Sequence, residues 1–236
     1  MTQKLRNRIQ AGQLLAIQLA EYANRSDVLV LGLPRGGVPV AFEIARALNV
    51  PLDICLVRKL GVPEQPELAM GAIAMAGVRI VNEDVVKSWG ISQDTIEAVT
   101  LEEEQELARR DRAYRGSQPS LDLSNRIVIL VDDGIATGAT LRAAIAVVRS
   151  QHPTAIVVAA PVASTIAYNA IKPNVDRMFC PIVSAELGAI GLWYKDFSQT
   201  TDNEVRTLLS ARNHNWGLPQ DISETMTLEK LAQCQA

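Results

Sequence analysis

Short aliphatic runs constrain the fold of this chain more than any other feature. Val28–Leu33, Leu52–Val57, Arg126–Val131, Ala155–Ala160 and Met178–Val183 carry aliphatic residues side by side, without polar alternation. A strand with one wet face alternates, so strands of this kind are covered on both faces. Stretches of helical pattern lie between them: Val38–Leu48, Ala139–Ser150 and Ser164–Ile171. That order predicts an α/β fold, a doubly wound and mainly parallel sheet with helices on both sides. Val28–Leu33, Val38–Leu48 and Leu52–Val57 form one βαβ unit of ordinary length, with a right-handed crossover.

The remaining segments are less regular. Leu5, Ile9, Leu15, Leu19 and Tyr22 recur at helical spacing and predict an amphipathic first helix, stopped at Asn24–Asp27. Leu60–Met70, with Gly61, Pro63 and Pro66, shows neither hydrophobic period and is expected to be a long loop. Gly71–Ala76 and Val78–Val81 read as two short strands about Gly77, and Ser92–Arg115 as a long charged helix ending at Gly116–Ser120. Ile96, Val99, Leu107 and Ala108 give that helix only a narrow apolar stripe, so a solvated face or a dimer contact is expected. From Glu186 onward the pattern is irregular, with a short helix at Val205–Leu209 and a concentration of aromatics (Trp193, Tyr194, Phe197, Trp216). No repeat or linker is visible, so residues 1–236 are expected to form a single domain. Its core spans about 25–185, with a small irregular hood from the first helix and about 186–236.

Composition narrows the classes of function. The chain has 236 residues, 48% of them hydrophobic, enough to bury a sizeable core. Lys and Arg number 23 against 26 Asp and Glu, a formal charge of −3, so no global positive field attracts nucleic acid or an anionic membrane. The basic N-terminal stretch is interrupted by Gln and Glu and lacks a small-residue cleavage site, so it is not expected to be a signal peptide. Cys55, Cys180 and Cys234 are far apart and accompany only His152 and His214, which gives no zinc spacing. Buried or incidental thiols in a reducing cytoplasm are the expectation, and neither histidine is given a role.

The chemistry concentrates where one aliphatic run ends. In Val128-Ile-Leu-Val-Asp132-Asp133-Gly-Ile-Ala136-Thr137-Gly138-Ala139-Thr140, two carboxylates emerge at a strand's carboxyl end, and a turn of small residues leads into a helix. Ligands of doubly wound sheets bind at that edge. Backbone N–H groups from Ala136 to Thr140, two threonine hydroxyls and the helix dipole suit a dianionic phosphate, and Gly138 permits close approach. Asp132 and Asp133 suit a vicinal diol, or a Mg2+ ion held through water; a cationic or hydroxyl ligand would offset their repulsion. A helix-capping Asp turn alone would not need the whole assembly.

This stretch resembles the 5-phosphoribosyl 1-pyrophosphate (PRPP) signature of the type I phosphoribosyltransferases. The resemblance covers the fold elements over roughly residues 25–185, and the chain is most similar to a poorly characterised subgroup of predicted members. It implies that Asp132 and Asp133 contact the ribose hydroxyls and that Ala136, Thr137, Gly138, Ala139 and Thr140 hold the 5′-phosphate. Gly134 departs from the larger apolar residue common in better-known members and is expected to loosen the turn. Leu33-Pro34-Arg35-Gly36-Gly37 resembles the family's pyrophosphate loop, which often contains a non-proline cis peptide. Arg58 and Lys59 resemble a basic pair that contacts the diphosphate. Leu60–Met70 stands in the place of the mobile flap, although between Gly61 and Met70 it has no Lys, Arg, Ser, Thr or Tyr.

The resemblance also implies Mg2+ as cofactor, a homodimer, and transfer of ribose 5-phosphate to a nitrogenous base with release of pyrophosphate. Arg35 and Lys59 would act with Asp132 and Asp133 at the reacting centre. Trp193, Tyr194 and Phe197 are candidates for stacking on the acceptor base. A PRPP-sensing regulator without transferase chemistry is the alternative, favoured by the uncharged-to-acidic flap. The acidic balance and the lack of a helix-turn-helix or basic aromatic patch argue against a nucleic-acid partner.

Overall fold

The computed structural model describes residues 4–74, 77–116 and 122–211. Trp216, His214 and Cys234 lie outside them.

Five parallel strands form the central sheet: β1 (Val28–Gly32), β2 (Leu52–Ile54), β6 (Ile127–Val131), β7 (Ala155–Ala159) and β9 (Arg177–Phe179), in the order β2-β1-β6-β7-β9. Their lack of alternation has the expected cause. Val28 and Val30 of β1 pack on one face with Ile129 and Val131 of β6, whereas Leu29 and Leu31 pack on the other with Val128 and Leu130. The first face is covered by α1 (Arg8–Gln18), α2 (Gly37–Leu48), α4 (Gln93–Arg115) and α7 (Asp202–Ala211); the second by α5 (Ala139–Arg149) and α6 (Thr165–Ile171). Each fully buried Leu or Ile there is worth about 1.5–3 kcal/mol against exposure.

The order β2-β1-β6-β7 places a topological switch point between β1 and β6, because the chain leaves β1 toward one edge and β6 toward the other. Their carboxyl ends are level, Gly32 beside Val131, so the two following loops diverge from adjacent positions. Such a crevice is where open α/β sheets bind ligands.

Three expectations are corrected. The second strand is shorter than Leu52–Val57: β2 stops at Ile54, and Val57–Val62 is instead β3, the first strand of a separate antiparallel sheet β3-β4-β5. Leu60–Met70 is therefore no loop. Its residues fall in β3 and β4 (Gln65–Ala74), a hairpin turning at Pro63 and Glu64, with register irregularities at Leu60, Gly61 and Val62. Gly61 and the prolines hide the strand period in the sequence, while Leu60, Val62 and Met70 are buried in the core. β5 (Arg79–Val81) and α3 (Glu83–Trp89) follow. Finally, Met178–Val183 divides into β9 and β10 (Ile182–Ser184); β10 leaves the main sheet to pair with β8 (Val162–Ser164).

The long helix α4 is capped by the Ser92 side chain, which accepts from the Thr95 amide, and ends at Gly116 with φ +63°. It is more than a solvated face. Ile96, Leu107 and Tyr114 are buried, and Arg115, 4% exposed, ion-pairs with Asp53, 1% exposed, at 3.0 Å while donating to the Ile54 carbonyl. That pair ties the helix's last turn to edge strand β2, and removing one partner alone would cost about 3–5 kcal/mol. Cys55 and Cys180 are free thiols, both raised to about 12 by burial, and so inert. Among the described residues, no helix is long and apolar enough to cross a membrane.

Candidate ribose-phosphate site

The turn after β6 is fixed from below. The Ile135 amide donates to the Val162 carbonyl, the Ser164 amide donates to the Ile135 carbonyl, and Ser164 Oγ donates to the Ala136 carbonyl at 2.7 Å. With its underside tied to β8, the loop turns Ala136, Thr137 and Thr140 outward. Gly138 caps α5 with φ +70° and has no side chain of its own to bring to the first turn, where the Ala139 amide donates to Thr137 Oγ1 at a long 3.4 Å. The first amides of a helix have no intrahelical acceptor, so this end of α5 offers N–H groups and positive dipole potential to an anion. Arg142 Nη1 donates to the Thr137 carbonyl at 2.9 Å and steadies the loop from the helix side.

The loop after β1 packs directly on the carboxylates. A Cβ on Gly36 would lie 1.9 Å from Asp133 Oδ2, and one on Gly37 would lie 2.6 Å from the Val131 carbonyl oxygen and 2.9 Å from Asp132 Cα. Both glycines are thus required by contact between the two loops. The Pro34–Arg35 peptide is cis. Arg35 is partly exposed, with Nη1 3.6 Å from Asp202 Oδ1 at the start of α7. Asp202 also accepts from the Tyr114 hydroxyl at 2.9 Å.

Arg58 and Lys59 lie within β3. They reach the same neighbourhood from the side: a cavity of about 470 Å³ is lined by Pro34, Arg58, Lys59, Glu103, Arg110 and Thr140 among others. Arg58 donates from Nε to Glu103 at 2.5 Å. The structure therefore gathers Arg35–Gly37, Asp132–Asp133 and Ala136–Thr140 at the switch point, with Arg58 and Lys59 on the flank toward α4.

Gly134 does not loosen its turn. A Cβ there would meet Ile190 Cγ2 at 2.5 Å and Val162 Cγ1 at 3.1 Å, so the glycine admits Ile190 against the turn.

Asp133 carries contacts that its sequence neighbourhood does not announce. Arg8, at the start of α1, binds Asp133 Oδ2 through Nε and Nη2, both at 2.8 Å. Arg8 Nη1 donates to the Ser198 carbonyl at 2.7 Å, and the guanidinium lies 3.9 Å from the centre of the Phe197 ring. The Tyr194 hydroxyl donates to the Asp133 carbonyl at 2.6 Å. The chain thus supplies its own cation to offset the paired carboxylates. Even so, burial and then the Asp133 charge push the Asp132 carboxyl well above the usual carboxylate range, with Arg8 acting in the opposite direction.

Two of the three aromatics that are candidates for stacking on a base are otherwise engaged. Tyr194 is buried, its hydroxyl is committed to Asp133, and burial raises its pKa. Phe197 is enclosed by Arg8, by Tyr194 at 4.9 Å between ring centres, and by the backbone at Gly191. Trp193 is half-buried and donates to the Leu187 carbonyl. Residues 193–196 instead pair with the N-terminal segment: the Leu5 amide donates to the Trp193 carbonyl, and the Lys195 amide to the Leu5 carbonyl.

Comparison with known proteins agrees with this architecture. Residues 2–196 match the phosphoribosyl transferase domain, and the chain belongs to that family. It is 43% identical over 206 residues to the Mycobacterium tuberculosis H37Rv protein named "Putative phosphoribosyl transferase Rv0571c", covering 87% of this chain and 46% of that one. A protein of M. tuberculosis CDC 1551 matches to the same extent. The chain spans about half the length of these curated relatives. The crystal structure of TT1426 from Thermus thermophilus superposes with a TM-score of 0.81 at 39% identity, covering 87% of this chain and 97% of that one.

Proposed function

We propose that the switch-point crevice binds PRPP and that the protein transfers its ribose 5-phosphate to a nitrogenous base, releasing pyrophosphate. The observation that carries this reading is the contact between the two loops. Gly36 and Gly37 touch Asp133 and Asp132, so a diphosphate on the first loop and a ribose on the second would be neighbours, as they are in PRPP.

The roles follow from position. Amides of Ala136–Thr140 and the Thr137 and Thr140 hydroxyls hold the 5′-phosphate; Asp132 and Asp133 accept from the ribose hydroxyls; Arg35, Gly36, Gly37, Arg58 and Lys59 hold the diphosphate. The acceptor nitrogen's lone pair forms the new bond to C1 while the C1–O bond breaks and its electrons leave with pyrophosphate; the acceptor's surplus proton passes to solvent. Fixing the sugar at three points contributes up to about 7–11 kcal/mol through orientation. Arg35 and Lys59 stabilise charge growing on the leaving group.

Among the described residues, no three His, Cys, Asp or Glu side chains converge on one point. The adjacent carboxylates of Asp132 and Asp133 would hold, through water, a Mg2+ ion bound with the diphosphate. Bound there, the ion would supply positive charge beside the pyrophosphate.

The lack of Lys, Arg, Ser, Thr and Tyr between Gly61 and Met70 favours a second reading, a PRPP-binding regulator. A phosphorus NMR time course with PRPP, Mg2+ and a pool of nucleobases separates the two. Base-dependent pyrophosphate release supports the transferase; broadening of the PRPP resonances without turnover overturns it in favour of the regulator. Asp133→Asn is expected to weaken PRPP binding by about 1.5–3 kcal/mol for each charge-assisted hydrogen bond lost, measured by titration calorimetry.

A further inference from the structure

We infer that Arg8 is a positioning residue for the ribose, setting which oxygen of Asp133 faces the sugar and thereby the preference for a ribose phosphate over bare phosphate. The inference deepens the reading of the crevice as a ribose-phosphate site and rests on it.

Arg8 stands where it does because α1 lies close along α2. A Cβ on Gly12 would meet the Val40 carbonyl oxygen at 2.6 Å, so glycine there allows the helices to approach. Gln13 Nε2 donates to Glu43 one turn further on. The approach brings the first residue of α1 beside Gly36, just before α2: a Cβ on Gly36 would lie 3.2 Å from Arg8 Nε.

The guanidinium is held on three sides. Nε and Nη2 take Asp133 Oδ2, Nη1 takes the Ser198 carbonyl, and the flat face rests on Phe197. Side chains of Arg8 and Asp133 are 12% and 15% exposed, so solvent screens the pair little. Both Arg8 contacts fall on Oδ2, the oxygen pressed toward Gly36, which leaves Oδ1 as the acceptor for a sugar hydroxyl. A lysine would keep the charge but would bring neither the two donors, Nε and Nη2, that meet on Oδ2 nor the flat face that rests on Phe197. The ion pair also opposes repulsion between Asp132 and Asp133, so both can accept from a neutral diol. None of this bears on the amides of 136–140, so phosphate binding at that turn does not depend on it.

The test compares affinities of ribose 5-phosphate and inorganic phosphate for the full chain, in wild type, Arg8→Lys, Arg8→Gln, Asp133→Asn and the double variant Arg8→Gln/Asp133→Asn, each checked for a cooperative thermal transition. The double variant removes both charges together, so it keeps the comparison available if Arg8→Gln alone fails to fold. Arg8→Lys is expected to weaken ribose 5-phosphate roughly tenfold while changing phosphate less than about twofold. In the Asp133→Asn background, loss of Arg8 is expected to have no further effect on that ratio. Equal loss for both ligands marks a merely structural residue and overturns the inference. Tighter ribose 5-phosphate binding in Arg8→Lys overturns it too, because Arg8 then obstructs the site. If Asp133→Asn abolishes the preference for ribose 5-phosphate and Arg8→Lys preserves it, the Arg8 inference alone fails. If wild type shows no preference, the ribose reading of the crevice fails with it.

Discussion

The turn after β6 and the β3–β4 hairpin border the same crevice, but they are specified at different ranges. From Asp132 to Thr140 the chain leaves a buried strand, presents two carboxylates and enters a helix within nine positions. The hairpin depends on partners far along the chain. Arg58 is fixed by Glu103, 45 residues away, and Leu60 and Met70 enter the main core. A binding turn can be encoded locally because its working groups are mainly backbone amides and adjacent side chains. A flank that must lie against a helix is decided by packing.

The most disruptive way to probe that contrast is to separate the two loops. Gly36→Ala places a methyl within 1.9 Å of Asp133 Oδ2, beside a carboxylate already fixed by Arg8. It is expected to reduce PRPP affinity by more than tenfold and to cost about 1–3 kcal/mol of stability, read by calorimetry and by thermal unfolding. A Gly36→Ala protein that binds PRPP normally would break the claim that the loops act together.

Thr137→Ala tests the local side of the comparison with a smaller effect. Losing one hydroxyl contact to the phosphate costs about 0.5–1.5 kcal/mol, and ribose 5-phosphate and PRPP should weaken alike. An effect on PRPP alone would move the 5′-phosphate away from this turn.

Asp132→Asn is expected to have a divided effect, raising the stability of the free protein while weakening PRPP binding. Because folding raises the Asp132 pKa, the folded protein holds its proton more tightly than the unfolded chain. Stability is therefore lost as pH rises from the ordinary carboxylate range toward the raised value, and the penalty persists above it. An asparagine keeps an acceptor for the Asp133 amide, which Asp132 Oδ1 now receives at 2.8 Å, and removes that penalty. The ligand-free variant should melt higher at neutral pH, by about 2–4 °C per kcal/mol relieved, with no advantage in acid below both pKa values, while binding PRPP more weakly. Equal melting at both pH values would contradict the burial argument.

The contrast also explains how much of the molecule was legible in its sequence. The sheet was readable because Val28–Gly32 and Ile127–Val131 are buried on both faces, which no alternating pattern could satisfy. Gly36 and Gly37 were readable as a loop at the site, but the contact that requires them is tertiary. Arg8 was not readable. Its position in the sequence marks only the start of an amphipathic helix, and its partner Asp133 lies 125 residues away. The roles of the aromatics near 193–197 were not readable for a related reason: composition identifies large rings, but only packing shows that Tyr194 and Phe197 serve Asp133 and Arg8.

The most direct test of the central claim is an amide chemical-shift titration of the labelled protein with Mg2+ and PRPP. The first and largest perturbations are expected on Arg35–Gly37 and Ala136–Thr140 together. Saturable binding that leaves either group of amides unmoved would contradict it.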